Sequence, residues 1–199
     1  EYDFYIKNHP KLGNKYEKYQ NYTDQFVDEI ISKYPRIKKI SSLTSHHQLL
    51  REGIKFVLTV YGSVGIEYAY LGIPVINASR NNPHINYNFN INPINRSQYK
   101  KILNNLKQVK LKINKNEVLE CYFMKHFFYD ENWLFNDYGS FMKSIGGYHS
   151  IHTDNFYEYW LKNVDIKFIE QKFTFFKNFI DSNDNRLSIF NSEKEKLIN

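Results

Sequence analysis

Short apolar runs separated by helix-like segments set the rhythm of the first half of the chain. Asp3 to Ile6 is an aromatic and β-branched run that breaks at Lys7-Asn8-His9-Pro10, where proline supplies no ladder donor. Lys11 to Thr23 is polar, rich in Tyr and without a clear period, and reads as loop. Asp24 is placed to cap a helix in which Phe26, Val27, Ile30 and Ile31 recur at helical spacing before Pro35 stops it. Ile37 to Ile40 reads as a strand ending at Ser41-Ser42. Thr44 or Ser45 then opens a helix through Leu49-Leu50 that Gly53 closes. Ile54 to Val60 is the next strand. It enters the stretch Phe56 to Ser79, whose order is an apolar run, the turn Gly62-Ser63-Val64-Gly65, a short helix bearing Glu67, Gly72, and a second apolar run from Pro74 to Ile76.

Strands that alternate with helical links predict an α/β fold, a Rossmann-like parallel sheet with helices on both faces. In such a sheet ligands bind outside the carboxyl ends of the strands. His9, Ser41-Ser42, the Gly62 turn and Ser79 all fall at expected carboxyl ends, so that edge is where a site is sought. After Ser79, Asn82-Pro83-His84 and Asn92-Pro93 mark loop, and Ser97 is placed to cap an amphipathic helix using Tyr99, Ile102, Leu103 and Leu106. The sheet domain is expected over 1–110 and an aromatic-rich helical extension over 111–199. Within the extension, Asn116 to Trp133 and Asp154 to Asn163 read as helices, as does Asp165 to Ile180. Gly139 to Thr153 reads as a loop around Gly146-Gly147, and the polar tail from Glu193 to Asn199 as frayed.

Composition adds limits rather than detail. An apolar share of 42% over 199 residues suffices for one sizeable core and leaves room for a smaller appended unit. The chain opens on Glu1 rather than Met with a strand-like run following at once, so a fragment of a longer chain lacking its N-terminal half is expected. The net charge of +6 favours anionic partners without choosing among them. The single Cys121 excludes an internal disulfide and argues for a reducing compartment. With no apolar run near the ~18 residues of a span, the expected location is the cytoplasm, with peripheral contact at the inner face of the membrane left open.

The Gly62–Gly65 turn joins a strand to a helix, where backbone N–H groups and the Ser63 hydroxyl can hold a phosphate. It reads equally as a tight corner with Ser63 as N-cap. It is neither G-x-G-x-x-G nor a P-loop, so a dinucleotide or ATP cradle has no support. Glu67 either complements the helix dipole or accepts hydrogen bonds from ribose hydroxyls. His9, with Lys7 beside it, could contact a phosphate or protonate a leaving group, or be a plain turn residue. His84 is a weaker candidate contact, and His46, His47, His126, His149 and His152 read as surface, capping or packing residues. The histidines lack metal-ligand spacing, so no metal is expected. No Gly-x-Ser-x-Gly elbow and no RNA-recognition signature appears, which leaves serine hydrolysis and nucleic-acid partners without support. The cluster of Tyr122, Phe123, Phe127, Phe128, Tyr129, Trp133 and Phe135 reads as core, with a partner or membrane surface as the alternative.

Gly62-Ser63-x-Gly65-x-Glu67, then Ala69 and Gly72-Ile73-Pro74-Val75-Ile76, resembles the donor-nucleotide segment in the C-terminal domain of GT-B glycosyltransferases. Lys7-Asn8-His9-Pro10 is similar to the His-Pro motif of bacterial capsule polysaccharide transferases, in the matching order and separation. The resemblance covers residues 4 to about 108. It implies half of a GT-B fold that binds a nucleotide sugar and transfers a sugar or polyol phosphate to a glycan or lipid-linked acceptor, with no cofactor beyond the donor. By it, Lys7, His9, Gly62, Ser63, Val64, Gly65, Glu67, Ser79 and His84 would bind the donor. His9 would stabilise the leaving phosphate, and the acceptor-activating base would come from an N-terminal domain outside this chain. A sugar-nucleotide epimerase of similar architecture and a non-catalytic partner-binding module are the alternatives.

Overall fold

The computed structural model describes residues 2–10, 17–128, 137–147, 153–163 and 165–188. The chain is α/β, with two small parallel sheets and about half of the described residues in helix, and divides into two compact units, Glu1–Lys55 and Phe56–Asn199.

In the first unit β1 (Phe4–Lys7) pairs in parallel with β2 (Ile37–Ile40), Lys7 lying opposite Ile40, so Asn8-His9-Pro10 and Ser41-Ser42 leave from one edge. The link is α1 (Glu17–Lys33), which starts well before the expected cap at Asp24. No Gly or Pro interrupts 17–23, and the charged and amide side chains there favour helix even without an apolar period. Asp24 therefore sits inside the helix and works as a tie. Its carboxylate accepts from the Asn8 side-chain amide and lies 3.5 Å from Lys39 Nζ, which also donates to Asp28 at 2.8 Å. Val27 is buried, while Phe4 and Tyr5 remain exposed. α2 (His46–Arg51) starts at Ser45, whose hydroxyl accepts from the Gln48 N–H at 3.1 Å.

The second unit holds β3 (Val57–Thr59), α3 (Val64–Tyr70) and β4 (Val75–Asn77). β3 and β4 are parallel, and β4 is buried throughout because it takes a second partner: Ile76 bridges to Ile91, with Ile91 N–H to Val75 O at 2.8 Å and Asn77 N–H to Ile91 O at 3.0 Å. Gly72 lets the chain turn from α3 into the next strand across only the four residues 71–74. At φ 82° it donates to Ala69 O (3.0 Å) while Ile73 donates to Tyr68 O (2.9 Å), a paired closure that favours glycine. The core gathers Ile66 and Ala69 from α3, Tyr87 and Phe89 from the loop before Ile91, and Val118 and Cys121 from α5 (Lys115–Phe123).

The continuous sheet expected from the alternation is instead two separate two-stranded sheets of short strands, and strand Ile54–Val60 contracts to β3. Ladders of three or four residues carry few bonds each, so pairing is decided by packing rather than by strand propensity. α4 (Arg96–Asn104) is capped by Asn95, not Ser97, through Gln98 N–H to Asn95 Oδ1 at 2.9 Å. The Asn116–Trp133 helix appears as α5 followed by a π-helical turn, Met124–Phe128; Tyr129, Trp133 and Phe135 lie outside the described residues. The loop expected over 139–153 contains α6 (Tyr138–Ser144), capped by Asp137, and Phe141 within it is buried. α7 (Asp154–Asn163) and α8 (Ile166–Asp181) fall where their spacing places them, and the 193–199 tail, like His149 and His152, lies outside the described residues. Among the described residues no helix is long and apolar enough to cross a membrane.

Candidate functional site

Two strands that run in parallel send their outgoing segments to one edge, and in the second unit those segments are Val60–Gly65 and Ala78–Arg80. The Ala78 N–H donates to Thr59 O at 2.7 Å, which closes the edge immediately beside the Gly62 turn. Ser79 shapes the exit from β4: its hydroxyl accepts from the Asn81 N–H at 3.0 Å and its carbonyl from the Asn82 amide at 2.9 Å.

Ser63 occupies the N-cap position of α3, yet its backbone is already helical (φ −59°, ψ −24°) and its side chain makes no capping hydrogen bond. The plain N-cap reading of Ser63 therefore fails, because a cap residue needs an extended backbone to turn its oxygen onto the first N–H groups. Gly65 donates to Gly62 O at 3.2 Å, and Ile66 and Glu67 donate to Ser63 O at 2.9 and 3.0 Å. Glu67 is half-buried in the first turn of α3, between the buried Ile66 and Tyr68. Burial, and then the neighbouring Glu67 charge, push the Tyr68 hydroxyl above its ordinary pKa.

Behind the turn lies a feature that sequence reasoning missed. Gly65 packs directly on two buried polar side chains: a methyl group in its place would stand 2.5 Å from His84 Nε2 and 2.9 Å from Asn90 Nδ2. His84 is only 1% exposed and rests on Phe89, with ring centroids 5.6 Å apart. Among the described residues neither ring nitrogen of His84, neither polar atom of the Asn90 amide, nor Asn77 Oδ1 finds a hydrogen-bond partner. Burial, assisted by the charge of Lys125, lowers the His84 pKa to about 4, so the ring is neutral at physiological pH. His84 is thus a neutral wall beneath the turn rather than an exposed donor. The run Asn82-Pro83-His84 signals a turn, and nothing in its local pattern announces burial.

The loop that carries this wall is clamped from far along the chain. Glu117 Oε2 accepts from the Asn88 N–H at 2.8 Å. Arg186 donates to Glu120 Oε1 at 3.2 Å and to Asn86 O at 3.3 Å, and stacks over Tyr87 at 4.4 Å.

Gly62, Ser63, Val64, Gly65, Glu67, Ser79 and His84 all belong to the second unit, and contact is direct between Gly65 and His84. Lys7 and His9 belong to the first, at the β1–β2 edge. His9 is exposed with Nδ1 2.8 Å from Pro10 O; a carbonyl only accepts, so Nδ1 is the donor in that contact. No group of three or more His, Cys, Asp or Glu among the described residues is arranged to hold a metal ion. Comparison with protein-family models, with curated proteins and with solved structures returned no match.

Proposed function

We propose that the second unit binds the nucleotide of an activated sugar, as the donor-binding part of a glycosyltransferase acting in capsule or surface polysaccharide synthesis. The observation that carries this reading is the Gly62–Gly65 turn. It leaves a parallel strand at its carboxyl end, holds a serine whose hydroxyl is not used as a cap, and presses its last glycine onto a buried polar wall. Buried polar groups without partners cost about 1–3 kcal/mol each, and a fold that retains them behind a loop supports a functional use of that loop.

In this reading the donors offered to a phosphate are the Ser63 hydroxyl and the N–H groups of Ser63 and Val64. α3 has only seven residues, so these local donors, rather than a long helix dipole, supply the field. They gain strength as negative charge grows on the departing phosphate. Glu67 accepts from the ribose hydroxyls, and Ser79 borders the same edge. The half GT-B architecture and the transfer to a glycan or lipid-linked acceptor follow from the resemblance of the motifs. The donor site is assigned to residues of the second unit alone.

Titration calorimetry of the chain with CMP, CDP, UDP and GDP tests this. At least one nucleotide should bind, and Glu67→Ala or Ser63→Ala should weaken it by about 10-fold, the worth of one hydrogen bond to a charged group. Absence of binding by all four, or binding indifferent to both substitutions, overturns the assignment.

A further inference from the structure

Residues 68–116 contain no Asp or Glu, yet they hold Arg80, Arg96, Lys100, Lys101, Lys107, Lys110, Lys112 and Lys115. With those eight set aside, the rest of the chain has 19 Lys and Arg against 21 Asp and Glu, so the net charge of +6 resides in this stretch. All eight residues are exposed, and among the described residues none of them is ion-paired. Seven fall between Arg96 and Lys115. Arg96 and Lys100 stand one turn apart on α4, whose Tyr99, Ile102 and Leu103 take the half-buried side. Lys110 and Lys112 lie on the outer side of an extended segment in which Val109, Leu111 and Ile113 are half-buried, Ile113 against the core. Lys115 rests over the Tyr70 ring at 5.5 Å. The acids that follow the stretch are turned elsewhere: Glu117 accepts from the Asn88 N–H and Glu120 from Arg186.

We propose that residues 94–115 dock the chain on an anionic lipid surface, with the Lys and Arg side chains facing headgroup phosphates and Ile94 entering the interface. Ile94 is 63% exposed two residues before Arg96, which puts an apolar side chain beside the cations. Five of the seven cations are Lys, and mobile point charges suit a fluid headgroup layer, where the Arg fork suits a fixed phosphate or base edge. The amides that could read a base are already engaged. Asn95 Oδ1 caps the Gln98 N–H at 2.9 Å, and Gln98 Oε1 accepts from the Ile94 N–H at 2.6 Å. A nucleic acid would meet charge alone. The docking surface uses none of the residues assigned to the nucleotide and does not depend on that assignment.

Co-sedimentation of the full chain with vesicles of equal parts phosphatidylcholine and phosphatidylglycerol tests this. Binding should be absent on pure phosphatidylcholine and largely released at about 1 M salt, where the screening length falls to about 3 Å. Each cation near such a surface raises affinity about fivefold, so K110Q/K112Q should weaken binding about 25-fold. K55Q/K143Q removes the same charge from exposed lysines outside the stretch and should change it less than about threefold. Ile94→Asn should weaken vesicle binding about fivefold and leave retention on heparin unchanged. All five positions are exposed, so the substitutions report on the surface without disturbing the core. Failure to bind the mixed vesicles overturns the proposal, as do equal losses in the two double variants or indifference to Ile94→Asn. Tighter binding to a single-stranded oligonucleotide than to the mixed vesicles at the same salt overturns it in favour of a nucleic acid.

Discussion

Gly65→Ala is the perturbation whose cost the structure defines most closely. The added methyl group would stand 2.5 Å from His84 Nε2, 2.8 Å from His84 Cε1 and 2.9 Å from Asn90 Nδ2. Ordinary contact lies near 3.5–4.0 Å, so the overlap is about 1 Å on one side and little less on the other. Neither neighbour can swing clear, since His84 and Asn90 are 1% and 5% exposed and Phe89, behind the ring, is fully buried. Overpacking of that kind costs about 1–3 kcal/mol. Alanine returns up to about 1 kcal/mol through its better helix propensity at this position of α3. The expected net loss is about 1–2 kcal/mol, read as a fall of roughly 2–8 °C in melting temperature for a chain of this size. The decisive arm is a double-mutant cycle in urea. In a His84→Ala background the closest obstruction is gone while Asn90 Nδ2, 2.9 Å from the added methyl group, still crowds it, so Gly65→Ala should cost less there without becoming free, giving a coupling of at least about 0.5 kcal/mol. A Gly65→Ala variant that melts higher than the parent, or one that loses the same stability in both backgrounds, would refute the packing argument.

Three further outcomes follow from the same unit. Because burial holds the His84 pKa near 4 against 6.5 in the unfolded chain, the unfolded state takes up its proton first as the pH falls. The contribution is full above about pH 6.5 and is lost progressively towards pH 4, by about 3 kcal/mol at ~1.4 kcal/mol for each pH unit between the two values. Urea unfolding from pH 7 to 4 should show that slope reduced in His84→Gln, and identical slopes would contradict it. Cys121 is buried in the core with its thiol pKa pushed up to about 11, first by burial, so a thiol-specific reagent at pH 8 should label it only after denaturant is added; rapid labelling of the native chain would be the contrary result. Arg186→Ala removes the cation from Glu120, with side chains only 19% and 14% exposed, and uncovers Tyr87, for an expected loss of about 2 kcal/mol in urea unfolding. Arg186→Lys should recover only part of it, since an ammonium cannot both stack and bridge; a change below about 0.5 kcal/mol on Arg186→Ala would count against the clamp.

The legible parts of this protein are those set by neighbours in sequence. The order of strands and helices, the Ser45 cap, the Gly53 and Gly72 helix ends, and helices α7 and α8 all depend on side chains within a few residues of one another. Their signals therefore survive in a linear reading. The misreadings have the same root. Segment 17–23 lacks an apolar period but also lacks breakers, so helix propensity carried α1 upstream of Asp24. At 138–144 a capping aspartate and the burial of Phe141 outweighed the glycines around it.

At the site, the sequence by itself determined the turn: glycines at 62 and 65, a serine between them, and a carboxylate one turn into the following helix. Only the tertiary structure decided what stands behind that turn. It placed His84 and Asn90 against Gly65, pinned their loop with Glu117 and Arg186, and divided the strands into two pairs instead of one sheet. A local pattern can specify the conformation of a dozen residues through caps, propensities and φ constraints. Whether a histidine is a surface donor or a neutral, buried wall is set by chain that returns from as far as a hundred residues away, and burial is what fixes its charge.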